Sequence, residues 1–182
     1  TSSSNDKPDQ GYENTILSAG INTTFEQFND VFTTLGLSAT HDDLQTDDTA
    51  SSSLKKQSGT FDDISANYGF TYDKRNRTFM PTSGSILRFN QTLPVYADKS
   101  FIANTISSSN YKTITEDIIG AGKIFISAIN GLGSDDVMLS KRRGLSSKRM
   151  RGFEKGKIGP LDGTDHIGGN YAAAINFEAN LP

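Results

Sequence analysis

Alternation constrains this chain more than any other feature. Over long stretches every second residue is apolar, the period of a strand with one wet and one dry face. In 168–182 Tyr171, Ala173, Ile175, Phe177, Ala179 and Leu181 share one side, and Asn170, Asn176, Glu178 and Asn180 the other. In 61–73 Ile64, Ala66, Tyr68, Phe70 and Tyr72 oppose Asp63, Ser65, Asn67, Thr71 and Asp73. Residues 15–28 set Leu17, Ala19, Ile21 and Phe25 against Ser18, Asn22, Thr24 and Glu26, and 31–40 gather Val31, Leu35, Leu37 and Ala39. Further strands fit 85–95, 100–113 and 117–130, where serines blur the pattern of the second. The expectation is an all-β chain of about seven antiparallel strands.

Between them, 28–30, 76–84 and 114–116 are short, 45–59 is a longer polar loop, and 131–167 is very long. Short connections alternating with long ones fit an outer-membrane barrel with tight turns at one end and larger loops at the other. A soluble β-sandwich alternates too. Apolar residues make up only 34% of the 182, which suits either. The opening TSSSNDKPDQ reads as a polar loop and the close FEANLP falls in mid-pattern. Both ends are expected to be cuts inside a larger protein.

Several classes are disfavoured. The net charge of -3 offers no basic surface for nucleic acid. There is no cysteine, and His41 and His166 are far apart, so no metal site or cofactor is expected. No Gly-x-Ser-x-Gly elbow appears and neither histidine has a triad context, so no enzyme is expected.

Two segments decide between sandwich and barrel. In YGFTYDKRNRTFMPTSG, residues 68–84, Tyr72, Asp73, Arg75 and Asn76 end one strand, and Pro81, Thr82 and Gly84 precede the next. Proline fixes φ and lacks a donor, glycine tolerates angles that a Cβ forbids, and Asp and Asn bond turn amides. These residues are expected to shape a turn and carry no chemistry. The second segment is RMRGFEKGKIGP, with Arg151, Gly152 and Phe153, followed by Gly168, Gly169 and the strand carrying Glu178.

Together these segments resemble assembly factors of the BamA type, the bacterial surface antigen family. The resemblance covers about Gly11 to Pro182 and is most specific in 61–95 and 149–182. It implies a partial antiparallel transmembrane β-barrel domain spanning 1–182, its strands the sixth to twelfth of sixteen. It makes 131–167 the sixth outer loop, folded back into the lumen, with Arg151 paired to Glu178 on the inner wall. Gly152 would allow close approach, Phe153 would anchor, and Gly168-Gly169 would start the next strand. It implies insertion of barrel proteins into the outer membrane of a Gram-negative bacterium. The partners would be unfolded outer-membrane proteins as clients, accessory assembly lipoproteins and outer-membrane lipid. Transporters of two-partner secretion and of translocation-and-assembly modules share the loop motif and stay open as alternatives, as does a passive porin. Lys141, Arg142, Arg143 and Lys148 are expected to be solvated or lipopolysaccharide-facing loop charges.

Overall fold

The structure is a computed structural model and describes residues 2–7, 11–154 and 156–180. Leu181, assigned above to the last strand, lies outside the described residues, as do parts of the opening segment.

Eight strands form one antiparallel sheet in which nearly every strand neighbours the next in sequence. They are β1 (Ser2–Lys7), β2 (Tyr12–Phe28), β3 (Val31–Thr46), β4 (Gly59–Asp73), β5 (Gly84–Ala97), β6 (Phe101–Thr115), β7 (Ile118–Gly131) and, beside β7, β10 (Tyr171–Asn180). A two-stranded hairpin, β8 (Leu161–Asp162) with β9 (Asp165–His166), lies within the long β7–β10 loop. The helix α1 (Ser52–Lys55) is a single turn capped by the Ser51 hydroxyl. No described helix is long and apolar enough to cross a membrane.

The alternation places one apolar row across the whole sheet. Ile21 lies opposite Leu37, Leu35 opposite Tyr68, Phe70 opposite Phe89, Phe89 opposite Ile106, Ile106 opposite Ile126, and Ile124 opposite Ile175. Apart from the half-buried Phe70 and Phe89 these side chains stay uncovered: Ile21 is 76% exposed, and Phe177, on the same face of β10, 87%. A sandwich would pack a second sheet there, and none stands there among the described residues. An apolar face of this extent is unfavourable in water and suited to lipid. Strands β2 to β7 have 14 to 17 residues. At roughly 3.3 Å per residue, even the shorter ones cross a ~30 Å hydrocarbon layer when tilted by ~40°.

The opening polar stretch differs from expectation. Ser2–Lys7 is a strand in register with β2, Ser2 opposite Leu17 and Lys7 opposite Tyr12. Backbone pairing needs no apolar side chain, so a run of Ser, Asn and Asp gives no periodic signal even where the ladder forms. The turn Asp98–Ser100 is also tight, although it sits at the sheet end that carries the long loops.

Candidate functional site

The second face of the sheet is polar in its middle and carries the long loop near one end. The loop enters through Val137, which packs on Phe101, Ala103 and Ile129 from β6 and β7. Leu139 then joins Tyr12, Leu44, Ala50 and Leu54 in a second cluster, with Ile167 against it. The Leu139 amide donates to Gln57 at 3.1 Å. These contacts thread the chain across the face and set Ser140 and Lys141 down on β3 and β4.

There the charges are matched. Asp42, 1% exposed, accepts from the Ser140 hydroxyl and, at 3.1 Å, from the Asn14 amide. Lys141 lies 2.8 Å from Asp63, with side-chain exposures of 19% and 11%, and its ammonium sits 5.5 Å from the centre of the Phe101 ring. Lys141 is therefore no solvated loop charge. The sequence placed Asp63 on the polar face, but only the path of the loop brings a lysine 78 residues away to it. Arg142 bonds the Val137 carbonyl at 3.3 Å and Asp136 at 3.4 Å. Arg143 is half-buried, and burial holds its guanidinium below the usual arginine range.

Farther along, the loop meets β7 and β10. The Arg149 guanidinium stacks 3.6 Å from the Phe125 ring centre. Its carbonyl accepts from the Asn176 amide at 2.8 Å. The Arg151 guanidinium reaches Glu178 at 2.7 Å, and Lys123 takes the other carboxylate oxygen at 2.6 Å. Glu178 is 12% exposed but Arg151 is 71% exposed. One carboxylate thus serves two cations, one on the wall and one on the loop. Phe153 is exposed, 57%, and no described residue is packed against the Cβ position of Gly152, whose φ is 84°. Sequence reasoning missed Lys123, Phe125, Arg149 and Asn176. Their residue types are ordinary, and only the strand register makes them neighbours.

The glycine pair has a concrete role. Arg143 and Gly169 exchange backbone hydrogen bonds of 2.7 and 2.9 Å. A Cβ on Gly168 would lie 3.1 Å from the Arg143 carbonyl oxygen, and its φ of 67° is one that side-chain-bearing residues rarely adopt, so a larger residue would strain this pairing just before β10.

At the opposite end of the sheet lies the 74–83 turn. The Arg75 guanidinium grips Asp73 through two bonds, 2.8 and 2.6 Å, and reaches the Thr78 carbonyl at 3.2 Å. That carboxylate holds the Arg75 pKa above its ordinary value. The Asn76 oxygen accepts the Thr82 and Ser83 amides, and its amide donates to the Thr82 hydroxyl at 2.8 Å. Gly84 has φ 94°, and a Cβ there would stand 2.1 Å from the Lys74 carbonyl oxygen. Lys74 joins this turn to the next through Asp30 at 2.8 Å, which holds its ammonium above the usual lysine range. Tyr72 lies on the apolar face, opposite Val31 and Leu87, and Pro81 is half-buried in the turn.

No group of His, Cys, Asp and Glu among the described residues has the geometry to hold a metal ion. His41 pairs instead with Asp62, at 2.7 Å, where the apolar face approaches the loop end.

Comparison with known proteins bears on the same features. The description of the Omp85 superfamily domain matches residues 1–182. The chain is 27% identical over 139 residues to the sorting and assembly machinery component 50 homologs of Xenopus laevis and Homo sapiens, covering 74% of this chain and 30% of each relative. It is 26% identical over 144 residues to a SAM50-like protein of Schizosaccharomyces pombe, covering 73% and 30%. It therefore spans about a third of the length of these relatives. The crystal structure of BamA from Haemophilus ducreyi lacking POTRA domains 1-3 superposes with a TM-score of 0.84 at 22% identity, over 100% of this chain and 40% of that one. The fold is thus a stretch of an antiparallel transmembrane β-barrel, its apolar face toward lipid and its loop-bearing face toward the lumen.

Proposed function

The chain belongs to the Omp85 superfamily, and on that footing we propose that residues 1–182 are part of one barrel domain that inserts other β-barrel proteins into an outer membrane. The observation that carries this reading is the Arg-Gly-Phe loop lying on the lumen face, with Arg151 at 2.7 Å from Glu178. The relatives' names, sorting and assembly machinery, support it.

No covalent step is required. Insertion of a strand exchanges backbone hydrogen bonds along an exposed edge, which is β-augmentation. In such a mechanism these residues do two things. The apolar face holds the barrel in lipid, and the loop, clasped from two sides, keeps the wall in shape while a seam elsewhere opens. Arg151 and Glu178, with Lys123, form the clasp near β10, while Gly152 and Phe153 lie on the exposed side of the loop and make no part of it among the described residues. Tyr72, Asp73, Arg75, Asn76, Pro81, Thr82 and Gly84 hold the turn at the far end. The partners are unfolded barrel proteins as clients, accessory assembly subunits and outer-membrane lipid, and the chain is not an enzyme.

The motif resemblance favours the outer membrane of a Gram-negative bacterium, with lipoproteins as the accessory subunits. The relatives from animals and fission yeast favour a second reading, a eukaryotic outer membrane. Both assign the same activity.

The test is reconstitution of the full-length protein in liposomes with an unfolded barrel client, scored by the client's resistance to heat in gel electrophoresis. Wild type is expected to fold the client and the charge-reversed Glu178→Arg to fold it at least several-fold more slowly. A full-length protein that folds no client but conducts ions steadily in planar bilayers would overturn the proposal in favour of a passive pore.

A further inference from the structure

Two arginines stand side by side where the loop passes β10, and they are partnered differently. Arg142 has a carboxylate, Asp136, and a carbonyl, that of Val137. Among the described residues, Arg143 has neither. Its Nε is fully buried with no hydrogen-bond partner. Its backbone is pinned on both sides by the bonds to Gly169, which fixes the base of the side chain at this point of the loop. Buried polar groups are almost always satisfied, and a desolvated cation without a counter-charge costs several-fold more than a neutral donor.

The two arginines also border a cavity of about 200 Å³, lined further by Ser140, Ser146, Ile158 and Ile167. Its walls combine the two guanidinium groups and the Ser146 hydroxyl with an apolar backing, while the Ser140 hydroxyl is taken by Asp42 and Arg142 by Asp136 and the Val137 carbonyl. That set suits a small oxyanion: the planar guanidinium fork matches two oxygens, and the apolar backing lowers the local dielectric and strengthens the contact. Burial depresses the Arg143 pKa without any acidic neighbour contributing, in keeping with a charge that lacks a counter-ion. Of the loop's other wall-facing cations, Lys141 meets Asp63, Arg151 shares Glu178 with Lys123, and Arg149 stacks on the Phe125 ring.

We propose that the pocket beside Arg143 is a binding site for a phosphate-type oxyanion, held by the Arg143 fork and locking the loop where it crosses β10. The chemistry has two sources, free phosphate and the headgroup of an anionic lipid. The inference does not rest on the assembly reading.

The test uses the full-length protein in non-ionic detergent at constant ionic strength. Inorganic phosphate is expected to raise the thermal midpoint of wild type by several degrees in a saturable way. Arg143→Gln is expected to weaken the apparent affinity at least about tenfold, and Lys148→Ala to leave it unchanged. Arg143→Lys keeps the charge without the fork and is expected to fall between, which preserves the test should the glutamine variant fail to fold. A parallel series in phosphatidylcholine vesicles, with and without phosphatidylglycerol, separates the sources. Stabilisation by phosphatidylglycerol without a response to phosphate assigns the headgroup, and a response to phosphate assigns the free ion. The proposal is overturned by no Arg143-dependent response in either arm, or by equal phosphate responses in wild type and both Arg143 variants. Either result would leave the charge to be neutralised by the protein's own groups.

Discussion

The long loop touches the barrel wall in two places, and the two are built differently. Around 137–143 it is embedded: Leu139 is 2% exposed, Lys141 and Asp63 are 19% and 11% exposed, and Asp42 is sealed beneath Ser140. Around 149–153 it lies on the surface of β7 and β10, and Arg151 is 71% exposed although it reaches Glu178. A screened pair of this kind contributes under about 1 kcal/mol, whereas stranding a buried charge costs about 3–5 kcal/mol. Lys123 sharpens the contrast. It belongs to the wall itself and holds the other oxygen of Glu178, so release of Arg151 is expected to strand no carboxylate. The first contact works as an anchor and the second as a latch.

Four substitutions in the full-length protein, followed by urea unfolding in detergent and by protease cleavage of the loop, would break or sharpen this contrast. Leu139→Ala empties the centre of the anchoring cluster and is expected to cost most, about 3 kcal/mol, with early cleavage of the loop. Lys141→Ala leaves Asp63 without its cation and is expected to cost about 2 kcal/mol, reduced from the fully buried case by the remaining exposure. Arg149→Ala removes the stacking on Phe125 and is expected to cost about 1 kcal/mol. Arg151→Ala is expected to cost under about 1 kcal/mol and to speed cleavage near 151 while leaving 137–143 protected. A loss from Arg151→Ala equal to that from Lys141→Ala would erase the distinction. It would mean that wall strands beyond these residues bury the Arg151 guanidinium.

Legibility followed the same divide. Six of the seven expected strands needed only longer ends or small shifts, because a face in lipid demands apolar residues at every second position, a local rule. Glu178 and Asp63 fell on the polar face by that rule alone. The 74–83 turn was readable from Pro81, Asn76 and Gly84, whose chemistry acts over a few residues. The hairpin of β8 and β9 was overlooked although Asp162-Gly163 is a turn signal, with Gly163 at φ 63°. The polar strand β1 gave no signal, since its ladder is a backbone matter.

By itself, then, the sequence determined the strands, their two faces and the turns, because each depends on neighbours close along the chain. Which loop cation meets which wall carboxylate was decided only in three dimensions. Lys141 and Asp63 are 78 residues apart, and Lys123 and Glu178 are 55 apart. Strand register and the path of the loop bring such pairs together, and neither leaves a periodic trace in the amino acids.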